Sequence, residues 1–179
     1  MSQALRARRW IYRAAYVVLA LVIVLLHLMP LGGQAGDWPG PDVLLCITLA
    51  WTLRRPQAMA LWLIVIVLFA EDLLLMRPPG LWTAVVIAGT EFLRTRMAFT
   101  RELNLFSEWL MMAGLIVTMK LVYRFVFGIA LLPQVPLGYS MIEALATILC
   151  YPVVVLASAI IMGLHKPATG EIDAYGRRM

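Results

Sequence analysis

The chain has 179 residues, 63% of them hydrophobic and 14% charged, with a mean hydropathy of +0.87. That composition lies outside the range of soluble domains, so it implies a single integral membrane domain over residues 1–179 with short polar cytoplasmic tails at 1–10 and 165–179. The net charge of +5 comes from cations standing singly or in pairs beside apolar runs, a pattern that follows membrane topology and argues against nucleic acid as a partner.

Arg6, Arg8, Arg9 and Arg13 precede an apolar run at 14–29, which predicts a first spanning helix with a cytoplasmic N-terminus. Gly33-Gln34-Ala35 resembles a small-x-small cleavage site, but the run is longer than a signal-peptide core, so the reading is an uncleaved anchor. Gly32, Gly33, Gly36, Pro39, Gly40 and Pro41 force an irregular external loop at 31–41, with Asp37 and Trp38 at the interface. The run at 42–53 follows, Asp42 capping its start, and Arg54-Arg55-Pro56 stops it. It reaches only about 18 Å against a hydrocarbon core of ~30 Å, and the arginine pair favours a short full crossing over a re-entrant segment.

Residues 57–76 are long enough to cross outward and bring Glu71 and Asp72 towards the external end. Arg77-Pro78-Pro79-Gly80 cannot continue the helix, because proline lacks the amide donor and restrains its predecessor. Residues 80–93 return inward to Arg94, Arg96 and Arg101, with Gly80, Ala84 and Ala88 recurring every four residues as a small-residue face for close helix packing. Glu91 stands three residues before Arg94, the spacing of a local ion pair. Residues 104–132 cross outward carrying Lys120 and Arg124 on one face, and Pro133-Gln134-Val135-Pro136 makes the last external turn. Residues 139–164 then cross inward, with Glu143 near the external end and a kink expected at Pro152.

These segments predict an all-α integral membrane protein: six transmembrane helices in a compact bundle, both termini cytoplasmic. The placement of cations agrees, since only Arg77, Lys120 and Arg124 fall on or near the external side. An acid within a membrane segment costs roughly 2.5 to 3.5 kcal/mol unless it finds a partner. Glu71 lies about 21 Å along its helix and Lys120 about 24 Å along its own, so the acids and the base share a depth. The expectation is a buried charge network or partner site of Glu71, Asp72, Lys120, Arg124 and Glu143, in which Glu71 or Asp72 pairs with Lys120 or Arg124.

No nucleotide loop, zinc-type pairing or nucleophile beside a histidine is present, so neither catalysis nor a cofactor is implied. Cys46 and Cys150 fall inside apolar segments as small core residues, and His27 and His165 are isolated near segment ends.

Gly40-Pro41-Asp42, Leu49-Ala50-Trp51 before Arg54-Arg55-Pro56, the block Glu71-Asp72-Leu73-Leu74-Leu75-Met76-Arg77-Pro78-Pro79-Gly80, and Glu91-Phe92-Leu93-Arg94 together resemble the MreD family of rod shape-determining membrane proteins. The likeness extends over roughly residues 10–165 in length, segment order and charge placement. It implies a non-enzymatic scaffold in the bacterial cytoplasmic (inner) membrane that organises peptidoglycan synthesis with MreC and, through it or directly, with MreB, RodA and its partner transpeptidase. The family is similar in fold to the substrate-binding subunits of energy-coupling-factor transporters. The alternative expectation is therefore a small-solute-binding membrane subunit of a transporter.

Overall fold

The computed structural model describes residues 2–29, 39–97 and 104–163, with side chains from residue 7 onward. Within them run six helices and no strand: α1 (Ser2–Leu28), α2 (Val43–Arg54), α3 (Leu61–Leu74), α4 (Leu81–Thr95), α5 (Leu105–Ile129) and α6 (Leu137–Met162). Gly33-Gln34-Ala35, Asp37, Trp38, Arg101 and the tail at 165–179 lie outside the described residues.

Among the described residues, three helices are long and apolar enough to cross a membrane: α1 over Ala7–Leu28, α5 and α6. Large apolar side chains such as Leu121, Phe125, Val153 and Ile160 point outward from α5 and α6, as lipid-facing surfaces do. The chain is a membrane protein on this ground. α2, α3 and α4, at 12, 14 and 15 residues, reach only about 18 to 22 Å.

Two boundaries differ from expectation. The segment expected as a polar tail at 1–10 is helical from Ser2 onward, where Ala, Leu and Arg residues are strong helix formers that carry α1 back beyond the apolar run. α3 was expected from residue 57 but starts at Leu61, since residues 56–60 form a turn in which Ala58 N and Met59 N both donate to Arg55 O. That turn is latched from two sides: Arg13 Nε donates to Ala58 O at 3.2 Å, and Arg94 Nη2 donates to Met59 O.

α2 is the hub. Asp42 caps it, its carboxylate accepting Leu45 N at 2.9 Å, and every residue from Leu44 to Arg54 is buried. A short helix buried on all sides satisfies its backbone internally and is surrounded by protein rather than lipid. The other helices form an arc around it in the order α1, α3, α4, α5, α6, and α2 packs on α1, α4 and α6. Tyr12 OH donates to Met162 O at 3.2 Å and joins the two ends of the arc. Trp51 fills the centre, its ring 6.4 Å from Tyr12 and 6.1 Å from Tyr16, its indole N–H donating to Ser158 Oγ at 3.0 Å. Tyr16 and Thr48 share a hydrogen bond of 2.9 Å between α1 and α2.

The small-residue face expected on α4 is not a packing face within the chain. Ala84 and Ala88 are exposed, whereas Trp82, Thr83, Val85, Val86, Gly89, Thr90 and Leu93 are buried. Close approach occurs one residue later, at Gly89, where a Cβ would stand 2.8 Å from Met119 Sδ of α5. Gly80 belongs to the turn: its φ of 85° is a left-handed conformation that disfavours any side chain.

Candidate functional site

Charged groups gather at both ends of the bundle, and the two ends are built differently. At the first end, α3 closes with Leu75 N donating to Glu71 O and Arg77 N to Asp72 O, and Met76 takes a φ of 51° to redirect the chain. The turn returns the chain beside Asp72, so one carboxylate oxygen, Oδ2, accepts Gly80 N at 3.1 Å, Thr83 N at 3.2 Å and Thr83 Oγ1 at 2.8 Å. Asp72 thus caps α4 from a different helix, placing a negative charge where the helix dipole favours it.

The expected pairing changes accordingly. No ion pair joins Glu71 or Asp72 to Lys120 or Arg124 among the described residues. Lys120 Nζ meets Glu143 Oε1 at 2.7 Å, and Glu71 Oε1 faces Arg77 Nη1 at 3.7 Å. Depth along the helices does not decide the partner. Asp72 Oδ2 is taken up by the α4 N-terminus, and Glu143 on the neighbouring α6 lies beside α5. Arg124 Nη1 donates to Val135 O at 2.9 Å and reaches Ser140 Oγ at 3.5 Å, and Gln134 Nε2 returns a bond to Arg124 O at 3.2 Å. Arg124 therefore ties α5 to the α5–α6 turn without a carboxylate among the described residues.

Arg77, Lys120, Arg124 and Glu143 line an open cavity of about 460 Å³ whose aromatic wall is Trp82, Tyr123 and Phe127. Trp82 and Tyr123 meet edge to face at 5.3 Å, and Lys120 Nζ sits 4.6 Å from the Trp82 ring centroid. Several buried polar atoms at this end have no hydrogen-bond partner: Glu71 Oε2, Asp72 Oδ1, Asp42 Oδ2 and Trp82 Nε1. Buried polar groups are seldom left so, and functional sites are one place where they are.

The opposite end holds a constellation that sequence reasoning missed. Arg54, at the end of α2, places Nη2 2.9 Å from Glu108 Oε1, with the two side chains 5% and 1% exposed. Tyr151 OH donates to the same oxygen at 2.7 Å, and Arg54 Nη1 donates to Ala50 O at 3.3 Å. Arg54, expected to mark topology at a surface, is instead a core residue bonding α2, α5 and α6 together. The signal was available: Glu108 is also an acid inside a membrane-length helix, and the cost argument applied to Glu71 and Asp72 applies to it equally.

Glu91 and Arg94 form the expected local pair at 3.1 Å. Cys46 and Cys150 are free thiols, Cys46 buried and Cys150 half-buried. Among the described residues no group of three His, Cys, Asp or Glu side chains is placed to hold a metal. No family model matches this chain, and no match is found among curated proteins or among solved structures.

Proposed function

We propose that the chain is a non-enzymatic scaffold of the bacterial cell-elongation machinery, a relative of the MreD family that holds MreC and, with it, RodA, its partner transpeptidase and MreB at sites of peptidoglycan synthesis. In this reading it lies in the cytoplasmic membrane with six crossings, both termini cytoplasmic and the Arg77 end external. The observation that carries the reading is the job performed by the block from Glu71 to Gly80, the longest stretch of the resemblance. Its acids and its glycine build the α3–α4 corner rather than face a reacting group: Asp72 caps α4, Gly80 supplies the left-handed turn and Arg77 lies beside Glu71. Glu91 and Arg94, another charged part of the resemblance, brace the far end of α4 against the 56–60 turn. Residues that shape a bundle so rigidly suit a protein whose product is geometry.

The open cavity favours one competing reading, a solute-binding transporter subunit. Quantitative co-purification of the tagged full chain from cross-linked membranes separates the two. Enrichment of MreC and RodA supports the scaffold. Enrichment of an energising ATPase module without MreC overturns it in favour of the transporter subunit.

A further inference from the structure

The cavity at the Arg77 end has a chemical bias that the scaffold reading does not use. Three cations reach it from two elements, Arg77 from the α3–α4 turn and Lys120 and Arg124 from successive turns of α5. Two of them already have carboxylates, Lys120 at 2.7 Å and Arg77 at 3.7 Å. Arg124 has none among the described residues. Its bonds run from Nη1 to neutral oxygens, leaving Nε and Nη2 as donors with no described acceptor. Trp82, 2% exposed, also lines the cavity, and its buried indole N–H has no acceptor among the described residues.

The depth is also informative. Arg124 lies five residues before the end of α5 at Ile129, about 8 Å along the axis, the layer in which phospholipid headgroups meet a spanning helix. A guanidinium fork matches the oxygens of a phosphate bidentately, and partial exclusion of water strengthens that contact. The volume of about 460 Å³ suits a headgroup-sized ligand, and the Trp82, Tyr123 and Phe127 wall offers apolar surface beside it.

The geometry points to this cavity as a binding site for a phosphate-bearing anion, held by the free guanidinium donors of Arg124 and the indole N–H of Trp82, with Arg77 and Lys120 supplying the surrounding positive field. The source is a lipid headgroup or a soluble phosphoester, and both present the same oxygens. The site stands or falls independently of MreC.

Native mass spectrometry of the detergent-purified full chain tests it with three probes: phosphatidylglycerol, phosphatidylcholine and glycerol 3-phosphate. Retention of phosphatidylglycerol about tenfold above phosphatidylcholine is expected, the worth of one charge-assisted contact. Arg124→Gln should abolish that preference. Because Arg124 also holds the α5–α6 turn, Trp82→Phe provides the second variant: it removes a donor that bonds nothing among the described residues and should lower phosphatidylglycerol retention about threefold without loss of fold. Displacement by glycerol 3-phosphate identifies a soluble phosphoester as a competent ligand, and retention that it does not displace identifies the lipid headgroup. Equal retention of both lipids with no glycerol 3-phosphate bound overturns the proposal, as does phosphatidylglycerol retention that Arg124→Gln and Trp82→Phe both leave unchanged.

Discussion

The Arg54 end and the Arg77 end of the bundle contain similar residues arranged to opposite effect. At the Arg54 end one arginine, one glutamate and one tyrosine close on each other, out of contact with solvent or lipid. At the Arg77 end three arginine and lysine side chains and one glutamate line an open cavity. Buried polar atoms without a hydrogen-bond partner among the described residues occur near both ends, Glu71 Oε2, Asp72 Oδ1, Asp42 Oδ2 and Trp82 Nε1 here and Arg55 Nε, Glu91 Oε1 and Arg94 Nε at the other. A buried pair completed by a third hydrogen bond fixes how helices meet, whereas an incompletely paired set leaves capacity for something else. One end encloses a completed charge cluster and the other opens onto a cavity.

The largest expected effect is at the Arg54 end. Glu108→Leu strands Arg54 in the core, and removing one partner of a buried pair costs about 3 to 5 kcal/mol. Unfolding in a denaturing detergent should show that loss, and Arg54→Met in the same chain should recover much of it. Strictly additive losses would mean that the pair does not act as a unit.

Next in size is the corner. Asp72→Ala removes the acceptor of two backbone amides and a hydroxyl, and Gly80→Ala strains a left-handed residue, each costing about 1 to 2 kcal/mol. The thermal midpoint of the purified protein should fall for both. No change in either would remove the corner from the account.

A smaller effect is expected at the open end, where Lys120 and Glu143 are 17% and 22% exposed. Their double-mutant cycle, Lys120→Met with Glu143→Gln, should give a coupling of up to about 1 kcal/mol. Lys120→Met combined with Asp72→Leu should be additive, since those two side chains have separate partners. Coupling in the second cycle and none in the first would restore the pairing expected from depth alone.

The smallest effect is at Ala84. Its exposed position predicts that Ala84→Leu changes stability by less than about 0.5 kcal/mol, read from the same thermal midpoint. A large loss would show that α4 packs there after all.

How far these features are legible in the sequence depends on how local they are. The Asp42 cap, the breaks at Pro56 and Pro78-Pro79, and the start of α5 at Asn104 all rest on neighbours within a few residues. Hydrophobic length alone identifies α1, α5 and α6. The burial of α2 is less visible, because a helix apolar on all sides reads the same whether lipid or protein surrounds it. The Arg54–Glu108 pair spans 54 positions and its tyrosine a further 43, so no local pattern announces it. Gly80, Ala84 and Ala88 satisfy the four-residue spacing, but within the chain the close contact with Met119 falls at Gly89 on the adjacent side, and Ala84 and Ala88 stay exposed.

Cysteine accessibility measures the contrast between the two ends most directly. With Cys46 and Cys150 replaced by alanine, single cysteines at Ser140, which lines the open cavity, and at Ser158, buried against Trp51, report on the two ends of one purified protein. A polar maleimide should label Ser140→Cys rapidly in the folded protein and Ser158→Cys only after denaturation. Comparable labelling of both in the folded state, or faster labelling at Ser158→Cys, would contradict that contrast.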